Sequence, residues 1–115
     1  MAKLYALQIS PLLPENRWEK LLPLLSPQRQ QRIRACRHGA DRARLAGAGW
    51  LLRYALSQEG IPVYAQQFTT SPDGKPMLVN GSLDFSLSHS GEWVLCAVSS
   101  QLVGVDVELP RCTLA

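Results

Sequence analysis

The apolar run WVLCAV, residues 93–98, constrains the fold more than any other stretch of this chain. Unbroken by polar residues, it reads as a central strand covered on both faces. It lies within FSLSHSGEWVLCAVSSQLVGVDVELPR, Phe85 to Arg111, which reads as three strands in a row over 83–88, 93–99 and 102–109. A chain with such a strand must supply layers to cover it, and the first half of the sequence has helical character.

Residues 3–9, KLYALQI, have strand composition and end at Ser10-Pro11. A short helix is predicted over 15–25, with Pro14 in its first turn and Pro23 disturbing its end. Ser26-Pro27 starts a second helix, with serine as N-cap and proline at the first helical position, and this helix carries QRQQRIRACRH to about Gly39. A third helix over 40–59 is closed by Gly60 and Pro62, and its residues Leu45, Ala48, Leu52 and Leu56 recur at helical spacing. Gly47 and Gly49 are costly inside a helix and imply close packing against a sheet or another helix. After Gln66 the period changes: QQFTT is strand-like, SPDGKP is a turn, and MLV resumes the pairing. The expected fold is α+β, an antiparallel sheet packed by helices, in a single domain spanning 1–115.

No apolar run approaches a membrane span, and MAKLYALQIS lacks a signal-peptide core. Cys36, Cys96 and Cys112 are odd in number and widely spaced, which suggests neither a disulfide framework nor a zinc site. A cytoplasmic location is expected. The net charge of +3 is mild but unevenly placed. Arg29, Arg32, Arg34, Arg37, Arg42 and Arg44 fall within sixteen residues, whereas Asp84, Glu92, Asp106 and Glu108 come late. That asymmetry fits an anionic partner held by arginines, with a cation nearer the carboxylates. For any single arginine, a solvated helix face is the better account.

The last predicted strand carries the chemistry. Val103, Val105, Val107 and Leu109 share one face, and Gly104, Asp106 and Glu108 the other. Two carboxylates two residues apart, roughly 6–7 Å at the backbone, can share one cation. Magnesium suits such a pair, since it takes hard oxygens and leaves positions for water and phosphate. The competing reading is an edge strand whose acids face water. His89 is expected in a hairpin turn between Ser88 and Ser90, able to donate to a phosphate or to take a proton from a hydroxyl. Lys75-Pro76 adds a cation at another turn. Neither GxxxxGK[ST] nor GxGxxG is present, so cationic side chains would have to hold any phosphate.

The stretches SPDGKPML, FSLSHSGEWVLCAV and VGVDVE, with SPQRQQRIRACRHGADRARLAGAGWLLR upstream, resemble the ordered motifs of the Sfp-type 4'-phosphopantetheinyl transferases. These enzymes move the phosphopantetheine arm of coenzyme A to a serine of an acyl or peptidyl carrier protein. The resemblance implies that Asp106 and Glu108 ligate Mg2+, and that His89 and Arg44 hold the 3'-phosphate with Ser88 beside them. It also implies that Lys75 and Pro76 contact the nucleotide end, and that Arg29 and Arg32 stand where the family has phosphate-facing lysines. His89, Asp106 and Glu108 are the expected catalytic set.

Family chains are about twice this length, with two similar halves and a Trp-x-x-Lys-Glu element in the second. No such element occurs here, so the resemblance implies the N-terminal half, with the C-terminal half absent, incomplete for catalysis and prone to self-association. Two alternatives remain from the residues: a non-catalytic coenzyme A or carrier-protein binding module, and a nucleic-acid binder using residues 29–44. The second is disfavoured because that helix lacks interleaved aromatics and leaves the carboxylate strand without a purpose, so no nucleic-acid or membrane partner is expected.

Overall fold

A computed structural model describes residues 3–74, 76–79 and 83–99 of the chain. In order, its elements are β1 (Lys3–Gln8), α1 (Pro27–Ala35), α2 (Gly39–Gln58), β2 (Phe68–Thr70), β3 (Pro76–Leu78), β4 (Asp84–Ser90) and β5 (Trp93–Ser99). Short 3₁₀ segments link several of them.

The apolar run becomes β5, the middle strand of an antiparallel sheet ordered β1–β5–β4. Val94 to Val98 are all buried, so both faces of the strand are covered, as the unbroken run requires. Val94, Cys96 and Val98 join Phe85 and Ile9 in a core with Leu51, Leu52, Ala55 and Leu56 of α2. Leu95 and Ala97 alternate onto the opposite face. The first strand of the sequence thus returns to pair with the last described one, Leu7 opposite Val94 and Tyr5 opposite Cys96. β2 and β3 form a separate two-stranded ribbon, Phe68 opposite Leu78 and Thr70 opposite Pro76. This is the pairing expected on either side of SPDGKP.

Helix α2 is buried on two sides. Beyond the sheet-facing residues, Ala43 and Ala46 pack with Trp18, Leu25 and Ile33 in a second cluster. A helix wedged between a sheet and further helical segments needs small residues, and it shows no clean amphipathic stripe. Both glycines serve that packing. A Cβ on Gly47 would meet Leu7 and Ile9 of the sheet side at 3.3 and 3.4 Å, and one on Gly49 would meet Arg29 and Leu25 at 2.5 and 2.7 Å. The inferred close approach is therefore made to a sheet by one glycine and to a helix by the other.

Two expectations are corrected. The segment expected as a helix over 15–25 is an irregular 3₁₀ stretch, Pro14–Leu24, broken by left-handed backbone at Glu15 and Asn16 (φ 54° and 53°). With Pro14 ahead of that break and Pro23 inside the segment, no regular α-helical ladder forms. His89 is not in a turn. β4 runs on through Ser90, which pairs with Trp93, and the two-residue connection is Gly91-Glu92. Gly91 has φ +57°, at the position where a II′ hairpin turn places glycine. The expected strand over 102–109 lies outside the described residues.

Candidate functional site

The start of α1 builds one wall of a cleft. Ser26 has extended backbone, its Oγ accepts from the Arg29 amide at 3.2 Å, and Pro27 takes the first turn. Gln30 Nε2 ties back to the Leu25 carbonyl at 3.0 Å. With the helix start fixed, Arg29 and Arg32 lie one turn apart on α1, and both line a cleft of about 1100 Å³. The opposite wall comes from α2, where Gly49, Leu52 and Arg53 face the same space. β2 and the β2–β3 turn, including Gly74 and Pro76, complete it.

Gly49 lets the helices meet. The Arg29 side chain lies across it, and Arg29 Nη1 donates to the Leu45 carbonyl at 3.2 Å, one turn back along α2. Burial, and then the charge of Arg32, weaken the hold of Arg29 on its proton. No Asp or Glu lines the cleft among the described residues. The ion pairs there, Lys3–Glu59 and Arg44–Asp41, leave Arg29, Arg32 and Arg53 without a carboxylate. A concave surface whose described residues present three guanidinium groups and no carboxylate is suited to a multiply charged anion with planar acceptor edges, such as a phosphate chain.

Gln66 fixes the geometry from behind. It is 5% exposed, and its Nε2 lies within bonding distance of the Arg53 carbonyl, Ser57 Oγ and the Ile61 carbonyl. This amide ties the last turns of α2 to the loop that leads into β2. Ser71 and Asp73 are hydrogen-bonded within the β2–β3 turn, where Gly74 has φ +90°.

The sequence-predicted residues divide into three groups. Arg29, Arg32 and Pro76 come together in the cleft. Arg44 and His89 lie at one end of the helix–sheet layer: Gly47, three residues after Arg44, abuts Leu7, and Leu7 and His89 both pair with Val94. Arg44 Nη1 binds Asp41 Oδ1 at 2.8 Å, and its buried Nε has no partner. His89 is exposed, on the face of β4 shared with Phe85 and Leu87. Ser88 projects from the other face, so the two neighbours in sequence are not side by side in space. Neither Arg44, Ser88 nor His89 lines the cleft. Lys75, Asp106 and Glu108 lie outside the described residues, although Gly74 and Pro76 on either side of Lys75 border the cleft. Among the described residues no group of three or more His, Cys, Asp or Glu is placed to hold a metal ion, and no helix is long and apolar enough to cross a membrane.

Sequence reasoning missed Arg53 and Gln66 as parts of this site. Gly49 and Arg53, spaced i and i+4, hinted at a shared helix face, but no sequence signal marks a glutamine that will be buried.

A family model described as "4'-phosphopantetheinyl transferase, N-terminal" matches residues 12–101. The chain is 30% identical over 108 residues to 4'-phosphopantetheinyl transferase Sfp of Bacillus subtilis strain 168, covering 92% of this chain and 48% of that protein. It is 32% identical over 111 residues to 4'-phosphopantetheinyl transferase psf-1 of Bacillus pumilus, again covering 92% and 48%. The chain thus spans about half the length of the curated relatives it matches. Its fold is similar to that of the Helicobacter pylori holo-[acyl-carrier-protein] synthase solved with coenzyme A, at TM-score 0.60 and 16% identity over 88% of this chain and 100% of that one. A Bacillus anthracis holo-(acyl-carrier-protein) synthase, also solved with coenzyme A, gives TM-score 0.58 and 16% identity over 87% and 96%.

Proposed function

The chain belongs to the 4'-phosphopantetheinyl transferase family, and on that premise we propose that its cleft binds the phosphates of coenzyme A for Mg2+-dependent transfer of the phosphopantetheine arm to a carrier-protein serine. The observation that carries this reading is the juxtaposition of Arg29, Arg32 and Pro76, from distant parts of the sequence, in one cleft that no Asp or Glu lines among the described residues. Two proteins of similar fold have been solved in complex with coenzyme A.

In the proposed reaction the serine oxygen of an acyl or peptidyl carrier protein attacks the phosphorus bearing the pantetheine arm. The bond to the bridging pyrophosphate oxygen breaks, 3',5'-ADP leaves, and the serine proton passes to a base. Arg29 and Arg32 hold and orient the phosphates and offset the charge gathering on the leaving group. Arg44 and His89, at the neighbouring end of the layer pair, are assigned the 3'-phosphate, with Lys75 and Pro76 at the nucleotide and Ser88 as a further contact. Asp106 and Glu108 are assigned Mg2+ on donor chemistry alone, as paired hard oxygens. When bound, the ion supplies charge neutralisation on the diphosphate.

This chain corresponds to the N-terminal half of its longer relatives, and we assign it coenzyme A binding without completed transfer. Incubation with coenzyme A, Mg2+ and an apo carrier protein, followed by mass spectrometry, tests the assignment. The expected result is bound coenzyme A and an unmodified carrier. Transfer by the chain alone overturns the incompleteness, and absence of coenzyme A binding overturns the reading as a whole.

A further inference from the structure

We propose that Arg53 is a third phosphate-binding cation of the cleft, held in place by Gln66. This rests on the reading of the cleft as a phosphate site. It gives a role to a residue at the end of the basic helical motif that is not among the site residues expected from the family.

Helix geometry carries the argument. Gly49 is the point at which α1 crosses α2, with the Arg29 side chain lying over it. Arg53 follows Gly49 by four residues and stands on the same face, about 6 Å further along the axis. Arg29 reaches the other way, toward the Leu45 carbonyl. The two guanidinium groups therefore approach the cleft from opposite sides of the crossing, with Arg32 one turn beyond Arg29 on α1. Arg53 is half-buried, lines the cleft and has no carboxylate partner among the described residues. Keeping a third like charge beside two others costs free energy in the empty protein, and a ligand with several negative charges reverses that cost.

The Arg53 backbone is fixed more firmly than a surface helix position requires. Its carbonyl lies 3.2 Å from the Gln66 amide nitrogen and 2.8 Å from Ser57 Oγ. The same Gln66 nitrogen lies 2.8 Å from the Ile61 carbonyl, so one buried amide ties the end of α2 to the loop that leads into β2. Gln66 is thus a positioning residue, and Arg53 the group that meets the ligand.

The test is titration of inorganic pyrophosphate, and separately of coenzyme A, into the whole chain and its variants. Arg53→Gln is expected to weaken pyrophosphate binding about tenfold or more, and Arg53→Lys by less, because lysine keeps the charge but loses the two-pronged geometry. Arg17→Ala, an exposed arginine outside the cleft, is expected to stay within about twofold, which separates a local contact from a general loss of charge. Thermal midpoints close to wild type for Arg53→Lys guard against misfolding. Pyrophosphate binding unchanged in both Arg53 variants overturns the proposal, as does failure of the wild-type chain to bind pyrophosphate. If pyrophosphate binds through Arg53 but coenzyme A binds no more tightly, the Arg53 assignment stands and the coenzyme A reading falls.

Discussion

At Gly49 one methyl group decides where Arg29 lies. A Cβ there would come within 2.5 Å of Arg29 Cδ, midway along that side chain, and 2.7 Å of Cδ2 of the buried Leu25. Gly49→Ala gains about 1 kcal/mol in helix propensity but incurs an overpacking cost of about 1–3 kcal/mol. The expected outcome is a stability loss of up to about 2 kcal/mol together with weaker anion binding, read by denaturant melts and pyrophosphate titration. Gly47→Ala, whose nearest neighbours lie at 3.3–3.4 Å, is expected to be close to neutral in both. A second residue-scale prediction concerns pH. Tyr5 donates to Glu59 Oε2 at 2.6 Å, and Lys3 Nζ lies 3.2 Å from the same oxygen. The bond from Tyr5, partly opposed by burial and then aided by Lys3, holds Glu59 below the ordinary carboxylate value. That bond, then burial, pushes Tyr5 up to about 12, and burial alone pushes Cys96 up to about 12. The Glu59 contribution is present above the usual carboxylate range and is lost as pH falls through its lowered folded value. The Tyr5 and Cys96 contributions are intact below about pH 8.5–10 and are lost as pH climbs toward about 12. Tyr5→Phe should flatten the acid limb and part of the alkaline limb of a stability–pH profile, and an unchanged profile would refute the assignment.

The elements were legible to different degrees, and for physical reasons. The continuous apolar run specified the middle strand, and Ser26-Pro27 specified the start of α1, because a cap and a fixed φ act locally. Ser26→Ala is expected to lower stability by about 1 kcal/mol and to weaken binding in the cleft, since the capped turn carries Arg29. The extent of β4 was not legible. SHSG reads as a turn by composition, but pairing of His89 with Val94 and Ser90 with Trp93 extends the strand to Gly91. The ladder of the β4–β5 hairpin overrode the turn preference of serine. The 3₁₀ stretch was missed because nothing in the sequence announces left-handed backbone at Glu15 and Asn16. Of the residues lining the candidate cleft, Arg29, Arg32 and Pro76 are singled out by the sequence. Arg53 and Gln66 were not, because their roles depend on where α2 crosses α1. At Gly91, with φ +57°, replacement by valine is expected to cost about 1–2 kcal/mol, measured by thermal melting.

At the scale of the whole molecule, the chain spans about half of its curated relatives, while the fold of a complete acyl-carrier-protein synthase chain is matched along its full length. On the proposed reading of the chain as one half of a two-part fold, apolar surface is left for a companion to cover, and Val63, Tyr64, Met77 and Val79 are exposed here. Self-association at micromolar concentration is expected in sedimentation velocity, and a monomer throughout would contradict it. The account as a whole rests on the arginine cleft being the place where coenzyme A sits. Calorimetric titration of coenzyme A into the chain, with and without Mg2+, tests this most directly. The account predicts saturable single-site binding, tightened by the ion and weakened about tenfold or more by Arg29→Ala. Binding that is absent, or indifferent to both Mg2+ and Arg29, would contradict it.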